Sequence, residues 1–120
     1  MIGFVTNIEK DTLASQDYRR VLFTGRNIQL VIMTLQPGEE IGMEVHPEHD
    51  QFIRVESGAG MVILDGEEHT VGDGDAVVIP AGARHNVTAS PDSLLRLYTL
   101  YSPPEHPDGT IQHSKADENV

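Results

Sequence analysis

The sequence predicts an all-β domain, a sandwich or a barrel. Three observations carry that expectation. Short runs rich in β-branched and apolar residues recur at close spacing, as in Ile28 to Leu35 and Leu94 to Tyr101. Turn chemistry separates them, among it Gln36-Pro37-Gly38, Asp65-Gly66 and Gly72-Asp73-Gly74-Asp75. No window of about eleven residues sustains a helical apolar period with caps, so no helix is expected.

Residues 1–27 are an N-terminal arm with the first strand. Ile2, Phe4 and Val5 make an apolar patch in an otherwise polar stretch, which reads as an arm or an edge strand. Arg20 to Thr24 is the first strong β-run, closed by Gly25-Arg26-Asn27. Residues 28–101 are the expected barrel core. The near-continuous hydrophobicity of Ile28 to Leu35 suits a strand covered on both faces. Ile41 to His46 is short and is stopped by Pro47. Gln51 to Glu56 alternates, which puts Gln51, Ile53 and Val55 on one face and Arg54 on the other. Met61 to Leu64 and Glu68 to Val71 flank Asp65-Gly66, a strong hairpin signal because a type I′ turn needs positive φ. Ala76 to Ile79, His85 to Thr88 and Leu94 to Tyr101 complete the pattern. On the last run Arg96 and Tyr98 share one face and Leu97, Thr99 and Tyr101 the other, with either face free to point inward. Residues 102–120 read as a C-terminal tail broken by Pro103, Pro104, Pro107 and Gly109 and frayed from Ser114 to Val120.

At 120 residues the chain makes one domain. It has no cysteine, which excludes disulfide frameworks, cysteine zinc sites and thiol nucleophiles and fits a reducing compartment. A net charge of −11 repels a phosphate backbone, so no nucleic-acid partner is expected. No stretch approaches the roughly 20 apolar residues of a membrane span, and Met1 to Lys10 lacks a basic leader. No membrane association and a cytoplasmic location are the expectations.

The chemistry concentrates in two clusters. Residues two apart on a strand point the same way, so Glu44 and His46 share a face. Gln51 follows after the turn Pro47-Glu48-His49-Asp50, and His85 opens another run after Pro80-Ala81-Gly82. Two imidazoles, a carboxylate and an amide oxygen suit one divalent ion: Fe(II), Mn, Ni or Zn. Glu44, His46 and His85 match in composition the two-His-one-carboxylate set of non-haem iron enzymes, and Gln51 adds a neutral fourth ligand. His49 is expected to be a solvent-exposed turn residue, with His69 and His113 on the surface. His106, in Pro104-Glu105-His106-Pro107, lies on a segment able to fold over a barrel mouth.

At these residues the chain resembles the cupins. Gly38, five residues, Glu44-Val45-His46, four residues, Gln51, six residues and Gly58 follow the spacing of the first cupin motif. Gly74, Pro80, Gly82 and His85 follow the second. Glu44 stands where the family has its first histidine, Gln51 where it has a glutamate, and Ala89 where it has an asparagine. The two ligand exchanges leave the formal charge of the set unchanged at −1, so a cation site survives them. The resemblance implies a double-stranded β-helix, or jelly-roll barrel, holding one divalent transition metal ion on Glu44, His46, Gln51 and His85. It also implies a homodimer and a small-molecule ligand. Some cupins that process sugars and uronates are similar in using a glutamine ligand. The expected function is a Lewis-acid enzyme of isomerase, epimerase or lyase type on a small sugar or sugar acid, with Tyr98 or His106 moving the proton. An Fe(II)-dependent dioxygenase and a non-catalytic small-molecule-binding barrel are the alternatives.

Overall fold

The computed structural model describes residues 2–119. Met1 and Val120, the outermost residues of the arm and of the tail, lie outside the described residues. The strands are β1 (Arg19–Thr24), β2 (Gln29–Leu35), β3 (Glu44–Val45), β4 (Asp50–Ser57), β5 (Ala59–Leu64), β6 (Glu67–Gly72), β7 (Ala76–Ile79), β8 (Arg84–Ala89), β9 (Leu95–Ser102) and β10 (Ile111–Gln112). They form a six-stranded sheet in the order β10-β1-β2-β9-β4-β7 and a four-stranded sheet in the order β3-β8-β5-β6. Every pairing is antiparallel. β9 lies between β2 and β4, and β8 between β3 and β5, which is the doubly wound order of a jelly roll.

Alternation decides what each strand buries. Val31, Met33 and Leu35 on β2, Ile53 and Val55 on β4, Val62 on β5, Val87 on β8 and Leu95 and Leu97 on β9 meet in one apolar core. The expected face of Gln51, Ile53 and Val55 is the buried one. On β9 the inward face carries Leu95, Leu97, Thr99 and Tyr101, and Arg96 and Tyr98 take the other.

Two turns show why their residue types are needed. Asp65 and Gly66 join β5 to β6 with φ of 46° and 86°, the two positive values of a type I′ hairpin. Gly58, between β4 and β5, has φ of 101°, and a Cβ there would stand 2.0 Å from the Leu94 carbonyl oxygen. Only glycine allows β4 and β5 to pass this close to the start of β9.

Three expectations are corrected. The N-terminal region contains a helix, α1 (Ile8–Ala14), where an arm or edge strand was expected. Asn7 caps it by accepting from the Lys10 N–H at 3.1 Å, and Glu9 and Asp11 occupy its first turn, where the helix dipole favours acids. Seven residues are too few for apolar periodicity to register, and the side chain α1 buries is Thr12. The run Ile41 to His46 forms only the two-residue β3, with Gly42 N–H donating to the Asn86 side chain at 2.9 Å. The tail is tied down. β10 pairs with β1, and a 3-10 helix (Lys115–Asn119) brings Glu118 to within 3.1 Å of the buried Arg19 guanidinium.

Candidate metal centre

β3 pairs with β8 so that Glu44 lies directly opposite His85, which puts the two side chains on one face. His46 continues the alternation from Glu44, and its carbonyl accepts from the Gly82 N–H at 2.9 Å, fixing it against the turn that opens β8. One ligand atom from each of Glu44, His46 and His85 lies within 4.8 Å of the others. His46 Nε2 is 3.7 Å from Glu44 Oε2, and the His46 and His85 ring centres are 5.2 Å apart.

Hydrogen bonding leaves lone pairs free in this place. His85 Nδ1 is 3.0 Å from the Ala83 carbonyl oxygen, which can only accept. That contact puts the ring hydrogen on Nδ1 and leaves a lone pair on Nε2, which is buried and unpartnered. Gln51, on β4 of the facing sheet, donates from Nε2 to Thr99 Oγ1 at 3.0 Å. Its Oε1 is likewise buried with no hydrogen-bond partner. Each buried acceptor left unpaired costs about 1–3 kcal/mol, which a cation recovers. Two imidazoles, one amide oxygen and one carboxylate therefore fit a divalent ion.

Of the residues singled out in the sequence, Glu44, His46 and His85 are brought together, and Gln51 faces the same interior. His106 stands beside the cluster, its ring centre 5.2 Å from that of Tyr101, which in turn meets His46 edge-on at 6.1 Å. Burial first, then the positive charge of Arg19 and the neighbouring His46 and His49, lowers the His106 pKa from 6.5 to about 4. Burial pushes the Tyr101 hydroxyl above the usual tyrosine range; Arg19 opposes this, and Glu44 and Glu105 add to it. Tyr98 is not brought to the site: it lies on the outward face of the six-stranded sheet, opposite Arg54 and Ile32, with Phe52 at 6.4 Å.

Sequence reasoning missed Glu105 and undervalued His49. His49 is half-buried rather than free in solvent, its ring centre 5.8 Å from that of His46. Glu105 reaches in from the tail to both imidazoles, 3.6 Å from His46 Nδ1 and 3.3 Å from His49 Nε2. No local pattern marks it, because its neighbours are turn residues and its partners are distant in sequence. His69 and His113 are exposed as expected, and His113 pairs with Asp17 at 2.7 Å.

A jelly roll with a cluster of histidine and carboxylate groups facing its interior defines a class of small metal-capable barrels. This chain belongs to the cupins, since the Cupin domain family matches residues 31–101. It is similar to the BH2720 crystal structure from Bacillus halodurans, at 43% identity and a TM-score of 0.94, covering 97% of this chain and 92% of that one. It is 42% identical over 120 residues to YrkC of Bacillus subtilis, covering 95% of this chain but only 64% of that relative's length. It is also 32% identical over 77 residues to the dimethylsulfoniopropionate lyase DddW of Ruegeria pomeroyi, covering 64% of this chain and 50% of that protein. Among the described residues no helix is long and apolar enough to cross a membrane.

Proposed function

We propose that this chain is a metal-dependent enzyme of isomerase, epimerase or lyase type acting on a small sugar or sugar acid. One observation carries the reading: His85 Nε2 and Gln51 Oε1, both buried and unpartnered, accompany the Glu44–His46–His85 cluster. Glu44, His46, Gln51 and His85 hold the ion, which when bound supplies Lewis-acid polarisation of a carbonyl or hydroxyl oxygen. His106 is neutral at pH 7, with its Nε2 buried and unpartnered, so it is available to accept a hydrogen bond from a substrate hydroxyl there. Tyr101 stays protonated and shields His46 from water along one side. The lyase activity named for the relative DddW supports elimination chemistry on this fold.

The test is elemental analysis of untagged protein prepared without chelators, beside His46→Ala and His85→Ala. About one equivalent of a divalent transition metal is expected in the native chain and little in either folded variant. Stoichiometric metal in both variants would sink the ligand assignment. Loaded protein is then screened by NMR against sugars and sugar acids, and absence of turnover on all of them sinks the substrate class. The two-His-one-carboxylate cluster also supports an Fe(II) dioxygenase, which Fe(II)-dependent oxygen uptake would identify. The exposed Ile2 and Val5 beside Phe4, which stacks on Phe23, support a homodimer built on the N-terminal arm. Light scattering checks it, with a monomeric mass as the contrary result.

A further inference from the structure

We propose that Glu105 is the positioning residue of the site: it holds His46 in the tautomer that turns Nε2 toward the ion. This inference rests on the metal reading above. The two ring nitrogens of His46 face different carboxylates. Nε2 looks toward Glu44 at 3.7 Å, and Nδ1 looks toward Glu105 Oε1 at 3.6 Å. A carboxylate only accepts, so with a cation between Nε2 and Glu44 the arrangement is attractive when the ring hydrogen is on Nδ1, toward Glu105, and the lone pair on Nε2. His85 shows the same logic, with the Ala83 carbonyl oxygen 3.0 Å from its Nδ1. On His46 the corresponding place belongs to Glu105, and a shift of a few tenths of an ångström closes the contact to hydrogen-bond length.

The placement of Glu105 is built into the fold. Gln29, fully buried on β2, accepts from the Glu105 N–H at 3.1 Å and the His106 N–H at 3.0 Å. The same side chain donates to the His106 carbonyl oxygen at 2.7 Å. His49 Nε2 lies 3.1 Å from the Pro104 carbonyl oxygen and 3.3 Å from Glu105 Oε2. The backbone on both sides of Glu105 is therefore fixed by side chains from the barrel, and its second oxygen lies beside His49. A carboxylate behind a ligating imidazole fixes its orientation and raises its basicity, and losing one costs about 10–100-fold in metal affinity.

The experiment has two readouts on the full chain. The first is Zn(II) affinity by chelator competition for native protein, Glu105→Ala, Glu105→Gln and the exposed control Glu48→Ala. Glu105→Ala is expected to weaken binding about 10–100-fold and Glu105→Gln, which keeps an acceptor oxygen, by less. Glu48→Ala removes the same charge from the nearby turn and is expected to leave affinity within about twofold, since exposed charges are well screened. The second is the ¹⁵N spectrum of His46 in metal-free protein above the imidazole pKa range. A larger Nδ1–H fraction in the native chain than in Glu105→Ala is expected, since Glu44 faces Nε2 in both. Equal affinity in Glu105→Ala and native protein, or an equal loss in Glu48→Ala, would overturn the proposal, as would an unchanged tautomer. Two ions per chain falling to one in Glu105→Ala would overturn it in favour of a second ion on His46, His49 and Glu105. A native chain that binds no Zn(II) defeats the metal reading, while the metal-free spectrum still reports on Glu105.

Discussion

At His106 the competition is between the charge an imidazole takes up in mild acid and the place where the fold keeps it. Burial, with Arg19 and two histidines near it, wins and lowers the pKa from 6.5 to about 4. The unfolded chain therefore binds a proton at a pH where the folded chain does not. Stability linked to this group is complete above about pH 6.5 and is lost as pH falls toward about 4. Metal-free protein should show a lower urea midpoint across that window, and His106→Gln should flatten this part of the pH profile. An identical profile in the variant would mean other groups carry the acid sensitivity. The same scale explains why Glu44, His46 and His85 were readable and Glu105 was not. The first three sit at strand and turn positions where alternation and motif spacing fix direction. Glu105 is placed by Gln29, 76 residues away in sequence.

At the scale of elements, the β-runs were legible because each core strand alternates or is apolar throughout, and because glycine and proline separate them. What was not legible is what tertiary partners create. α1 is too short to show a period, β10 is two residues that become a strand only beside β1, and the 3-10 helix is held through Glu118 on Arg19. The direction of β9 was open in the sequence and is settled by packing, with Leu95 and Leu97 fully buried. Gly58 tests how tightly two elements depend on one residue. Gly58→Ala must hold φ near 101° and place a methyl against the Leu94 carbonyl oxygen. The backbone conformation alone costs about 1–3 kcal/mol, and the clash adds to it. A urea midpoint within error of native would show that β4 and β5 yield more readily than this geometry implies.

At the scale of the whole molecule, the proposed site spans both sheets: Gln51 comes from the six-stranded sheet and Glu44 and His85 from the four-stranded one. An ion bound across them links the halves of the barrel and should stabilise the entire fold. At a free ion concentration about a hundredfold above Kd, the gain is about 2.7 kcal/mol, or roughly 10 °C in Tm for a domain of this size. Calorimetry with and without chelator reads it directly, and a chelator-insensitive Tm would count against the bridging ion. The pairing of Arg19 with Gln112 has a consequence for the order of events during synthesis. β1 leaves the ribosome early and keeps one edge unpaired until β10 follows, more than ninety residues later by that register. Glu105 and His106 emerge in the same late stretch, so His46 and His49 are made well before the tail residues that pack beside them. The side chains that cover His46 from the tail are thus among the last parts of the chain to reach their places.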